Sequence, residues 1–121
     1  MTEYDKENIF AKILRKEIPC EKIYEDEKVL FFNDINPRAK IHILGIPKIE
    51  AVSLTDFIKN SSDKDVKYFF ETVFDVVKKF ELDKTGYRLI TNDGKDANQE
   101  VPHFHVHILG GNNLGGLVSI P

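Results

Sequence analysis

The chain has 121 residues, enough for one compact domain with its own core and no more. A composition of 41% hydrophobic and 31% charged residues is that of an ordinary folded chain, which excludes fibrous and disordered classes. The net charge of −3 gives no general electrostatic case for binding nucleic acid or a lipid surface, so any anion site must be local. The single cysteine, Cys20, excludes an internal disulfide and suits a reducing compartment. The start, Met1 to Asn8, is polar and acidic, unlike a leader peptide, and no apolar run approaches the length of a membrane span. The expectation is a cytoplasmic, single-domain protein over residues 1–121. Residues 1–7 read as a flexible start and 112–121 as a C-terminal tail.

Asn8 to Lys16 reads as a short amphipathic helix, with Ile9, Phe10, Ile13 and Leu14 at helical spacing and Pro19 beyond its end. Ile23 to Glu25 and Val29 to Phe32 form a hairpin around the acidic turn Glu25 to Lys28. Asn33 to Pro37 carries turn chemistry. Ile41 to Ile46 is a third strand, stopped by Pro47. Leu54 to Asn60 reads as a short helix. The long helix begins at Ser62, an N-cap residue with Asp63 and Asp65 in the first turn, and repeats Val66, Phe69, Phe70, Val73, Phe74, Val77 and Phe80 at threes and fours. Gly86 to Thr91 is a fourth strand, Asn92 to Glu100 a polar loop, Val101 to Leu109 a fifth strand, and Gly110 to Pro121 an irregular tail. Together these predict an α+β domain: an antiparallel sheet of about five strands with two helices.

The fifth strand carries the most informative pattern. His103, His105 and His107 alternate with Phe104, Val106 and Ile108. Alternate residues of an extended strand share a face, so the run predicts an imidazole face and an apolar face. Three readings follow from the residues. One is a surface face with incidental metal affinity. A second is a metal site, since His-x-His is a common ligand pair, with His42 and Cys20 as the further donors. The third is phosphate chemistry, in which a neutral imidazole attacks phosphorus while its neighbours stabilise charge and pass a proton.

The run His103-Phe-His105-Val-His107-Ile-Leu resembles the His-φ-His-φ-His-φ-φ signature of the histidine triad superfamily of nucleotide hydrolases and transferases. The likeness extends to Ile9 through Pro19, to Phe32-Asn-Asp34-Ile35-Asn-Pro37, to Ala39 through Lys48 around His42, to Gly86 through Asn92, and to Gln99 through His103. Leu109-Gly110-Gly111 resembles the nucleotide-binding protein branch, where the dinucleoside polyphosphate hydrolase branch tends to have Pro-Arg.

The resemblance implies a purine nucleoside phosphoramidase, acting on an adenylated amine or lysine, that is a homodimer with its sheet continued across the interface. It implies no cofactor and no metal. Its partners would be a purine nucleoside monophosphate or the phosphoramidates of one, and neither nucleic acid nor a membrane. By the same resemblance His105 is the nucleophile, His103 and His107 bind phosphate and orient it, and His42 completes a proton relay. Asp34 accepts the ribose hydroxyls. Ile9, Phe10, Ile13, Phe32 and Ile35 line the purine pocket, and Asn92 and Gln99 bond near the phosphate. Two departures stand out. Glu100 occupies the position where many members have a leaving-group serine, after Ala97-Asn98 in place of a glycine pair. Asn8 and Ala11 stand where some relatives have a zinc-binding cysteine pair. The readings kept beside phosphoramidate hydrolysis are a nucleotide-binding regulatory module with little catalysis, and a dinucleoside polyphosphate hydrolase.

Overall fold

The computed structural model describes residues 3–118. Five strands form one antiparallel sheet in the order β1-β2-β3-β5-β4: β1 Lys22–Glu25, β2 Val29–Asn33, β3 Ile41–Pro47, β4 Tyr87–Ile90 and β5 Val106–Gly110. Among the described residues there are four α-helices, α1 Ile9–Leu14, α2 Leu54–Asn60, α3 Asp63–Lys79 and α4 Leu82–Thr85, and a 3-10 turn at Lys95–Ala97. The predicted α+β class with a five-stranded antiparallel sheet holds. The helix count of two does not, because it leaves out the short α2, read from Leu54 to Asn60, and α4, which is only four residues long and leaves no periodic signal.

Local chemistry sets the element ends. Asn8 Oδ1 accepts from Ala11 N at 2.9 Å to open α1, which closes early because Lys16 turns left-handed at φ 65°. Ser53 and Ser62 cap α2 and α3 in the same way. In the β1–β2 turn, Asp26 Oδ1 accepts from Lys28 N at 2.8 Å and Val29 N at 3.0 Å, while its other oxygen takes the Tyr24 and Tyr68 hydroxyls.

The strands send alternate residues to two faces. Val29 and Phe31, Ile43, Val106 and Ile108 meet Phe57, Phe69, Val73, Val76 and Val77 in a dry layer under α2 and α3. Leu30, Phe32, Leu44 and Ile46 meet Phe10 and Ile13 of α1 on the opposite face. Gly45 sits where a Cβ would collide with the Phe31 ring, so β2 and β3 close tightly on the helix side. The histidine strand differs from expectation. Its ladder begins at Val106, and residues 101–105 approach it as irregular chain. The tail expected from Gly110 begins one residue later, and its residues 119–121, with residues 1–2, lie outside the described residues. No helix of the described residues is long and apolar enough to cross a membrane.

Candidate active site

A cleft of about 900 Å³ opens on the α1 face of the sheet. Its wall includes His42, His105, His107, Asp34, Ile35, Phe32, Ile9, Phe10, Ile13, Asn92 and Glu100, all singled out from sequence. Register explains the grouping. His107 pairs with Leu44 on one side and Ile90 on the other, and His42 pairs with Leu109, so all five side chains share one face of the sheet. Asp34 follows β2, and its backbone N bonds the His42 carbonyl at 3.0 Å, which brings carboxylate and imidazole together at the hairpin end. The sequence reading passed over Arg38, Leu44, Ile90 and Asn98 on this wall. Alternation along β3 and β4 finds Leu44 and Ile90, but loop residues such as Arg38 carry no periodic signal.

The hydrogen bonds fix which nitrogen of each neutral ring carries its proton. His105 Nδ1 lies 2.7 Å from the His103 carbonyl, which only accepts. Nδ1 therefore donates, and Nε2 presents a bare lone pair. His42 Nδ1 accepts from Arg38 N at 3.0 Å, so His42 carries its proton on Nε2. That proton points to His107 Nδ1 at 2.9 Å, with Asp34 Oδ2 at 3.3 Å. His107 must then hold its own proton on Nε2. The two cleft rings thus offer opposite functions: a lone pair at His105 and a donor at His107, with ring centroids 5.2 Å apart. Neither Nε2 has a bond to another described residue.

Burial keeps these rings neutral. Desolvation pulls His105 and His42 below the ordinary histidine value of 6.5, against the opposing pull of the Asp34 carboxylate. Desolvation takes His107 down to about 4, helped by its imidazole neighbours His105 and His42. His103 also falls to about 4, again chiefly through desolvation.

Two residues expected at the phosphate are turned elsewhere. His103 is fully buried, and both of its nitrogens are engaged by protein: Nε2 donates to the Pro47 carbonyl at 2.8 Å and Nδ1 meets the Tyr4 hydroxyl at 2.6 Å. It touches the nucleophile through its carbonyl, not its ring. Residues 103 and 105 both precede the ladder, so strand alternation sets neither ring: His105 is held by its bond to the His103 carbonyl, and His103 by Pro47 and Tyr4. Gln99 Nε2 donates to the carbonyls of Val52 at 2.7 Å and Val101 at 3.1 Å, and its Oε1 accepts from Gly94 N at 2.9 Å. It ties the loop together away from the cleft. Ile35 is 91% exposed, so it forms a rim of the cleft without contributing to the core. Two contributors were silent in the sequence: Tyr4, and Thr91, whose Oγ1 donates to the His105 carbonyl at 2.8 Å.

Asp34, His42 and His107 also bring three ligand atoms within 4.8 Å of one another, a donor set that zinc accepts. A metal there would have to displace the His42–His107 hydrogen bond. It is the one such group of three among the described residues.

Comparison with known proteins agrees with this geometry. A family model described as HIT domain matches residues 15–114. A HIT-like protein of Rickettsia prowazekii is 50% identical over 116 residues, covering 96% of this chain and 97% of the relative. The purine nucleoside phosphoramidase of Escherichia coli K12 is 36% identical over 114 residues, covering 94% and 95%. Among solved structures, a histidine triad protein from Clostridium difficile superimposes with a TM-score of 0.82 at 41% identity, covering 98% of this chain and 100% of that one.

Proposed function

The chain belongs to the HIT domain family, and we propose that it hydrolyses purine nucleoside phosphoramidates through a nucleotidyl-His105 intermediate. One observation carries the reading: the His103 carbonyl takes the Nδ1 proton of a desolvated His105, which leaves Nε2 as a neutral nucleophile on the wall of a nucleotide-sized cleft. The name and 36% identity of the Escherichia coli relative support the same class of substrate.

In the proposed reaction the purine lies between Ile9, Phe10, Ile13, Phe32 and Ile35, and Asp34 accepts from the ribose hydroxyls. His105 Nε2 attacks the α-phosphorus and the P–N bond breaks. His107 Nε2–H donates a hydrogen bond to the departing nitrogen, which takes the proton it needs from solvent, while His42 supports His107 Nδ1. The released amine, a base beside the cleft, takes a proton from water. The hydroxide attacks phosphorus, the phosphorus–His105 bond breaks, and nucleoside monophosphate leaves. Both imidazoles end in their starting tautomers. Asn92 and Glu100 stand on the wall where phosphate and leaving group would sit, and an acceptor at Glu100 suits a cationic amine.

The test is His105→Ala with an adenosine phosphoramidate. Turnover and the mass-shifted covalent adduct are both expected to vanish while a purine monophosphate still binds. Retained turnover overturns the reading. Binding without turnover or adduct in the wild-type chain would instead favour the regulatory module. The Asp34–His42–His107 donor set favours a second reading, metal-dependent hydrolysis, and activity that survives exhaustive chelation excludes it.

We also propose that two copies pair through β4. This strand is one of the two sheet edges, with β1, and exposes Tyr87, Leu89 and Ile90, and α3 exposes Phe70 and Phe74. Sedimentation across a concentration series tests it. The proposed setting is the cytoplasm, whose reducing potential suits the lone Cys20.

A further inference from the structure

We propose that Tyr4 is a positioning residue, whose hydroxyl donates to His103 Nδ1, holds that ring in place and through it sets the orientation of His105. The activity arm of this inference rests on the function proposed above; the structural arm does not.

Residues 101–105 lie outside the sheet ladder, so no strand pairing fixes the carbonyl that holds His105. Three other bonds do so. Phe104 N donates to the Ala51 carbonyl at 2.8 Å, His103 Nε2 donates to the Pro47 carbonyl at 2.8 Å, and Tyr4 Oη meets His103 Nδ1 at 2.6 Å. The first two anchor one side of the segment, and Tyr4 closes the other. The Pro47 carbonyl can only accept, so His103 must carry its proton on Nε2. Nδ1 is then an acceptor, and the Tyr4 hydroxyl is its donor. In the opposite tautomer an unprotonated Nε2 would face the Pro47 oxygen, lone pair against lone pair. Because His103 is fully buried, solvent cannot readily replace a missing donor.

Tyr4 is well placed for the task. Its ring meets His103 edge-on at 5.5 Å between centroids. The segment that carries it is tied back by Asn8, whose Nδ2 and backbone N both donate to the Asp5 carbonyl, at 2.7 and 3.2 Å. Asn8 also caps α1, whose Phe10 packs edge-on against His105 at 4.9 Å. The start of the chain thus braces the nucleophile from two sides, through Tyr4 on His103 and through Phe10 on His105.

Long-range 1H–15N spectra of the histidine rings test the assignment. The wild-type chain is expected to show His103 as the Nε2–H tautomer and His105 as the Nδ1–H tautomer. Tyr4→Phe keeps the ring and removes the donor; Pro47 still holds His103 as the Nε2–H tautomer, but the His103 Nδ1 signal is expected to move downfield as its hydrogen bond is lost, and the His105 signals to shift with it. Tyr4→Leu is expected to give the same change. If Tyr4→Phe leaves both rings unchanged, the proposal is overturned whatever happens to the rate. A change in Tyr4→Leu alone assigns the effect to packing and overturns it equally. With an adenosine phosphoramidate, Tyr4→Phe is expected to lower kcat about tenfold with KM held within about twofold, because misplacing a reacting group costs rate more than binding. A wild-type chain that fails to turn over this substrate would sink the proposed function and leave the spectroscopic result standing.

Discussion

The two faces of the sheet are built from the same strands and do opposite work. Toward α2 and α3, Phe31, Phe57, Phe69 and Phe104 pack ring on ring with centroids 4.8–5.9 Å apart, and all four are essentially inaccessible. Toward α1, the same β3 and β5 turn out His42, Leu44 and His107, and a cleft is left open. The difference teaches where polarity is tolerated. The helix face is filled by apolar side chains, whereas the cleft face supplies a partner to each imidazole: a backbone amide, a carbonyl or another ring. Filling the first face fixes the stability of the fold, and leaving the second incompletely filled makes room for a substrate.

Substitutions that act on one face alone sharpen this division. The largest expected effect comes from His105→Asn, whose amide N–H can still donate to the His103 carbonyl. Turnover of an adenosine phosphoramidate is expected to fall by about 10³-fold or more, as when a nucleophile is lost. The chemical-denaturation midpoint should stay near wild type, and a collapsed midpoint would show that the cleft face carries the fold as well. Phe69→Ala is the mirror image. It empties the centre of the aromatic layer and is expected to cost about 3–5 kcal/mol in denaturant titrations. Turnover per folded molecule should be retained; its loss would show that the two faces are not separable.

Acid probes the boundary between the faces. His103 and His107 hold values of about 4 in the fold against an ordinary 6.5, so between those values the unfolded chain binds more protons than the folded one. Stability is complete above pH 6.5 and drains away as pH falls toward 4. The fully buried His103 alone accounts for about 3 kcal/mol of that loss. Unfolding midpoints at pH 7.5 and 4.5 measure it, and a flat profile would contradict the buried, neutral ring. The acid limb of kcat/KM is likewise expected below pH 6.5, because His105 is itself held below that value by burial. The smallest effect is expected from Asp34→Asn. Its Oδ1 accepts from Asn36 N at 2.8 Å, a turn bond that an amide oxygen preserves. KM should rise about tenfold for loss of a charged hydrogen bond to the sugar, with kcat little changed. An unchanged KM would reduce Asp34 to a turn residue.

Apolar runs bounded by turn residues located the central strands β2 and β3, which are buried on both faces, and a period of three to four located the long helix, which has one dry face. The pattern misled where its geometric condition lapsed. It put His103 beside His105 and His107, yet the ladder opens only at Val106. It gave α3 a wide apolar face, of which Phe69 and Val73 are buried while Phe70 and Phe74 stay exposed. Tyr4 left no trace at all, since one aromatic in a polar segment has no period, and its partner lies 99 residues along the chain. The catalytic candidates His42, His105 and His107 were legible through their spacing and motif resemblance. Which nitrogen each one presents was not, because that depends on carbonyls and amides from Arg38 and His103 whose positions only the fold supplies.

The bracing of His105 bears on disorder as well as direction. Its Nδ1 is bound to the His103 carbonyl, its own carbonyl takes the Thr91 hydroxyl, and Phe10 closes against its ring. A side chain so confined has already surrendered its rotamer freedom when the chain folds. It therefore has little conformational entropy left to lose when a nucleotide arrives, and the cost of ordering the nucleophile falls on folding and not on each catalytic cycle.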